Sequence, residues 1–99
     1  MTTVATFDIE YVQYLDPEGK LVREDLPEFA QDPARVVEVY KQMSFLRVFD
    51  GKAVNLQRTG KLGTYASCLG HEAAHVSIGT AMHEDDCFAP MYREYGAQF

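Results

Sequence analysis

Residues 32–60 read DPARVVEVYKQMSFLRVFDGKAVNLQRTG, and the reading of this stretch decides the fold. Asp32 can accept a hydrogen bond from a free N–H of a first helical turn, and Pro33 stands where a helix has no use for a donor. Beyond them Val36, Val39, Tyr40, Met43, Leu46, Asp50, Ala53 and Gln57 share one stripe, apolar through Leu46 and mixed afterwards. Val37, Phe45, Val48, Phe49 and Leu56 widen it, so the pattern predicts a helix of roughly 25 residues that needs burial on two sides. Gly51 weakens its interior slightly, and Arg58-Thr59-Gly60 supplies a basic last turn and a glycine stop.

Upstream, Phe7, Ile9, Tyr11 and Gln13 alternate with Asp8, Glu10, Val12 and Tyr14, then Asp16-Pro17-Glu18-Gly19 leads into Lys20-Leu21-Val22. Period-two alternation around a Pro-x-Gly turn predicts a β-hairpin that needs a surface to lie on. Residues 23–31 read as an irregular connection. Downstream, residues 61–69 read as an extended loop and Gly70–Met82 as a second helix rich in small residues, which let a neighbouring backbone come close. Cys87-Phe88-Ala89-Pro90 reads as a short buried strand, and Met91–Phe99 as the start of a third helix that ends abruptly. The chain is accordingly divided into a strand-turn-strand arm, 1–31, and the start of a larger domain, 32–99, truncated at its C-terminus.

Ninety-nine residues, 46% hydrophobic and 24% charged, describe a small globular chain and not a disordered or fibrous one. Fifteen acids against nine Lys and Arg give a formal charge of −6, which argues against nucleic acid and anionic membranes as partners. No apolar run approaches the roughly 20 residues of a membrane span, and the N-terminus lacks the features of a secretory or transit peptide. The expected location is a bacterial cytoplasm, with Cys68 and Cys87 as small buried thiols in a reducing compartment.

His71-Glu72-Ala73-Ala74-His75 is a literal H-E-x-x-H, in which two imidazoles one turn apart could hold zinc and the glutamate could act as base. A third ligand would have to be His83 or Glu94, and neither stands at the metzincin spacing. A zinc hydrolase through His71, Glu72 and His75 is therefore a minor alternative. The competing assignment is a helix start whose early Glu72 suits the positive end of the helix dipole.

Residues Arg47 to Tyr65, followed by Gly70-His71-Glu72-Ala73-Ala74, Asp86 and Pro90-Met91-Tyr92-Arg93-Glu94-Tyr95-Gly96, have an order and spacing of their own. Together they resemble the N-terminal third of the α subunit of thiamine-diphosphate-dependent 2-oxo acid dehydrogenases. In that family Gly70 and Glu72 flank Gln or Glu where this chain has His71, which makes the zinc-like pattern an accident of one substitution. The resemblance implies an α/β thiamine-diphosphate-binding fold in the parent subunit, of which this segment is the mostly helical start.

It also implies that Tyr92 and Arg93 contact the diphosphate of thiamine diphosphate, a role for which a guanidinium fork and a phenol donor are chemically suited. Thr64 and Tyr65 correspond to a pair near the thiazolium and substrate, Thr64 departing from the family's more frequent Phe. No catalytic residue is implied within the segment. The Gly-Asp-Gly motif and the Asn that hold magnesium on the diphosphate do not occur, so magnesium ligands are expected elsewhere. The implied partners are the β subunit, which supplies the cofactor-activating glutamate, and a lipoyl-bearing acyltransferase that receives the acyl group. The implied enzyme is a heterotetrameric pyruvate dehydrogenase, with branched-chain 2-oxo acid and acetoin dehydrogenases as alternatives and an inactive isolated segment. A reading of another class is a stand-alone helical module that docks through the apolar helix at 32–58.

Overall fold

A computed structural model describes residues 1–99. Its order is a 3-10 turn at Glu28–Gln31, helix α1 at Pro33–Arg58, helix α2 at Glu72–Ala81 and a 3-10 turn at Tyr95–Gln98. The chain divides into two compact units, residues 1–31 and residues 32–99.

In the first unit the expected turn forms but the hairpin does not. The N–H of Gly19 donates to the Asp16 carbonyl at 3.0 Å, Gly19 takes the left-handed φ of +78°, and the Asp16 carboxylate accepts the Lys20 N–H at 2.7 Å. Leu15 and Leu21 form one isolated antiparallel bridge, and no strand extends from it. The turn closes because its bonds are local. The alternating arm before it has nowhere to bury Phe7, Ile9 and Tyr11, which are all exposed, and a two-stranded ribbon without an apolar surface beneath it is marginal.

In the second unit α1 matches its sequence signals at both ends. The Asp32 carboxylate accepts the Ala34 N–H at 2.9 Å. At the other end Gly60 has φ +70°, its N–H donates to the Gln57 carbonyl at 3.1 Å, and the Lys61 N–H donates to the Leu56 carbonyl at 2.9 Å. This is a Schellman stop, which satisfies carbonyls that the helix leaves free. Of the long stripe, Leu46, Asp50 and Ala53 are buried. Leu46, Cys68 and Val76 form the core, with Val39 and Met43 packed against it. The expected two-sided burial of α1 is not seen, since Val36, Tyr40, Phe45 and Val48 are exposed.

The small residues of α2 do what small residues allow. A Cβ on Gly79 would lie 2.7 Å from the Ala97 carbonyl oxygen, and one on Gly96 would lie 2.2 Å from Leu46 Cδ2. Both glycines thus let the C-terminal turn sit directly on α2 and α1, and Phe99 meets Phe45 and Phe49 edge-on at 5.2 and 5.1 Å. Two expectations fail here. Residues 87–90 form no strand and Cys87 is exposed, because no neighbouring strand offers them a ladder of hydrogen bonds. The third helix is reduced to the 3-10 turn at Tyr95–Gln98.

Candidate anion-binding site

Asp50 lies on α1 where the stripe turns inward, and its side chain meets the loop before α2 instead of solvent. Only 3% of the residue is exposed. Oδ1 accepts the Tyr65 phenol at 2.8 Å and the Cys68 N–H at 2.7 Å, while Oδ2 accepts the Ser67 hydroxyl at 2.7 Å. Burial works against the carboxylate's charge, yet the donors Ser67, Cys68 and Tyr65 outweigh it and hold the acid below its ordinary value. The same cluster acts on its members. Burial, then donation to Asp50, pushes the Tyr65 phenol well above its usual range, and burial beside Asp50 pushes the Cys68 thiol up to about 11.

The loop so organised carries the segment around Arg93. Arg93 NH1 donates to the Ser67 carbonyl, the Tyr65 ring stacks on Tyr95 at 5.1 Å, and the Arg93 guanidinium lies 5.2 Å from the centre of the Tyr92 ring. Arg93 is half-buried, whereas every other Lys and Arg is exposed. It has no carboxylate partner: the ion pairs of the chain are Arg23–Asp25, Lys41–Glu38 and Arg47–Glu72. Tyr92 is 62% exposed, and its hydroxyl makes no hydrogen bond. Thr64 is exposed on the loop.

Of the residues singled out from sequence, Tyr65 and Arg93 are thus joined through Ser67 and Asp50, Tyr92 lies against Arg93, and Thr64 takes no part in the network. The Tyr65 hydroxyl is committed to Asp50. Asp50 and Ser67 belong to no motif; the one signal for them in the sequence is an acid between Leu46 and Ala53 on the inward stripe of α1.

Glu72 heads α2 and is 4% exposed. It accepts Arg47 Nε at 2.6 Å and the Gly70 N–H at 3.0 Å. The Arg47 guanidinium, aided by the Gly70 N–H and opposed by burial, brings its carboxyl down to about 2. His71 and His75 stack 5.7 Å apart, and His75 is buried with Nδ1 unbonded. No three His, Cys, Asp or Glu side chains converge as a metal-binding group. The glutamate that a zinc hydrolase would use as base is instead tied to Arg47, and the H-E-x-x-H pattern reads as a helix start.

A guanidinium without a counter-ion, fixed by a carbonyl on one side and an aromatic ring on the other, is suited to hold an anion. The class defined by this geometry is a small helical segment with one half-buried arginine that has no acid partner within the chain.

Comparison with known proteins gives the family. Residues 40–99 match the family described as Dehydrogenase E1 component. A protein of Staphylococcus epidermidis named pyruvate dehydrogenase E1 component subunit alpha is 36% identical over 86 residues, and one of the same name from Staphylococcus aureus is equally similar. In each case the alignment covers 86% of this chain and 23% of the relative. No solved structure matches. The chain belongs to the dehydrogenase E1 component family and is similar to the α subunits of pyruvate dehydrogenase. No helix is long and apolar enough to cross a membrane.

Proposed function

We propose that this chain contributes the diphosphate-gripping edge of a 2-oxo acid dehydrogenase, with pyruvate as the substrate favoured by the names of its relatives. The observation that carries the proposal is Arg93, the one half-buried basic side chain, fixed against Ser67 and Tyr92 with no acid to neutralise it. A diphosphate fits this donor set. NH1 is engaged, Nε and NH2 make no hydrogen bond within the chain, and the Tyr92 hydroxyl adds a further donor. Arg93 would hold the phosphate oxygens and Tyr92 would orient them, while the loop at 64–68 lies beside them and Thr64 borders the substrate end.

Thiamine diphosphate, when bound, supplies the carbanion chemistry of decarboxylation; the residues described here bind and orient. The magnesium ligands, the activating glutamate of a β subunit and the lipoyl-bearing acyltransferase that takes the acyl group complete the proposal from outside these 99 residues. The proposed setting is the cytoplasm of a bacterium, and the domain reading proposed is an arm at 1–31 followed by the start of the cofactor-binding domain at 32–99.

The test is a calorimetric titration of the assembled dehydrogenase with thiamine diphosphate. Arg93→Ala removes a charge-assisted contact worth about 1.5–3 kcal/mol and should weaken binding roughly ten- to a hundredfold. Affinity unchanged by the substitution rejects the assignment.

A further inference from the structure

We infer that Asp50 is a positioning residue for the anion site: it fixes the loop whose Ser67 carbonyl aims Arg93. Asp50 itself touches no exposed surface from which a ligand could be gripped. Its three bonds go to Tyr65, Ser67 and the Cys68 N–H, residues 15, 17 and 18 positions later, so one helical side chain fixes three residues of a four-residue loop stretch. Two of these then contact the C-terminal segment, Ser67 through its carbonyl to Arg93 and Tyr65 through its ring to Tyr95. The relay runs from α1 to the loop to the guanidinium without a break.

All three donors that reach Asp50 are neutral, and this matters for the ligand. Had the carboxylate been paired with Arg93, the guanidinium charge would be spent within the chain. With its oxygens filled by two hydroxyls and an amide, the acid shapes the loop and leaves Arg93 uncompensated. The role is therefore one of shape. Asparagine can play it, because its carbonyl accepts from Tyr65 and Cys68 while its amide donates to the Ser67 hydroxyl, which can also accept. Alanine cannot.

This role rests on the proposed diphosphate contact of Arg93, and the experiment separates the two. Thiamine diphosphate is titrated calorimetrically into the assembled enzyme carrying Asp50→Ala, Asp50→Asn, Arg93→Ala, or Asp50→Ala with Arg93→Ala. Asp50→Ala should weaken binding about tenfold, the loss of one well-placed charged hydrogen bond, and Asp50→Asn should stay within about twofold of the unmodified enzyme. In the Arg93→Ala background Asp50→Ala should add nothing, an outcome that a general loss of stability would not give. Full additivity, or an Asp50→Ala affinity equal to the unmodified enzyme while Arg93→Ala weakens it, overturns the positioning role and leaves the diphosphate contact standing. An Arg93→Ala enzyme that binds normally overturns both. If Asp50→Ala does not assemble, Ser67→Ala keeps the carboxylate and removes one donor. Binding about threefold weaker is then expected, and unchanged affinity overturns the role.

Discussion

Two buried acids flank the loop between α1 and α2, and they treat their surroundings in opposite ways. Asp50 gathers neutral donors from a loop 15 to 18 residues away; Glu72 gathers the charge of Arg47, 25 residues before it in the chain. The consequence falls on the arginines. Arg47 is neutralised within the chain and braces α1 against α2, whereas Arg93 has no acid partner within the chain. Burial of an acid does not by itself decide its role: the donors that satisfy it do.

The comparison breaks most readily at Asp50. Removing its carboxylate strands the Tyr65 and Ser67 hydroxyls and the buried Cys68 N–H, at a local cost of about 2–4 kcal/mol. Hydrogen exchange at the Cys68 amide of Asp50→Ala should therefore accelerate roughly a hundredfold. A protected amide would mean that the loop holds its shape unaided.

The same variant sharpens a second contrast between the two thiols. Cys68 is buried with its thiol pushed up to about 11, and Cys87 is exposed. Alkylation at neutral pH should mark Cys87 first and leave Cys68 untouched, because the thiolate is the reacting form. In Asp50→Ala the two rates should converge. Equal rates in the unmodified protein would contradict the buried network.

Glu72 should give a smaller effect, because its partner Arg47 is 60% exposed and solvent screens the pair. Glu72→Gln should cost about 1 kcal/mol, read as faster exchange at the Gly70 amide. Its pH dependence has a fixed sign. The folded protein lowers the carboxyl from 4.5 to about 2, so the pair's contribution is complete above about pH 4.5 and is lost as pH falls toward 2. Glu72→Gln should lack that acid-side decline, and an identical decline in both proteins would assign it to other groups.

The smallest effect has the opposite sign. Gly51 follows Asp50 on α1, and a Cβ there would meet nothing within 4 Å. Gly51→Ala should stabilise the helix by up to about 1 kcal/mol without altering ligand binding, measured as a shift in thermal midpoint. A loss of stability would show that the outer side of α1 is covered.

What the sequence reveals and what it withholds follow from distance along the chain. Asp32, Pro33 and Gly60 announce both ends of α1 because capping bonds span only a few residues, and the turn at Asp16–Gly19 is legible for the same reason. Gly79, noted as a small residue that permits close approach, meets the backbone of Ala97. The strands expected around that turn and at 87–90 depend on partners that local pattern does not supply. Tyr65, Tyr92 and Arg93 stand out through family resemblance. The bonds that tie Tyr65 and Arg93 to Asp50 and Ser67 cross 15 to 26 residues, and no spacing rule anticipates them.

The central claim is that Arg93 and not Arg47 is available to an anion. Thiamine diphosphate titrated into assembled enzyme carrying Arg93→Ala or Arg47→Ala tests it directly. Arg93→Ala should lose roughly tenfold or more in affinity, and Arg47→Ala should change it by less than about twofold. Equal losses in both, or a loss confined to Arg47→Ala, would contradict it.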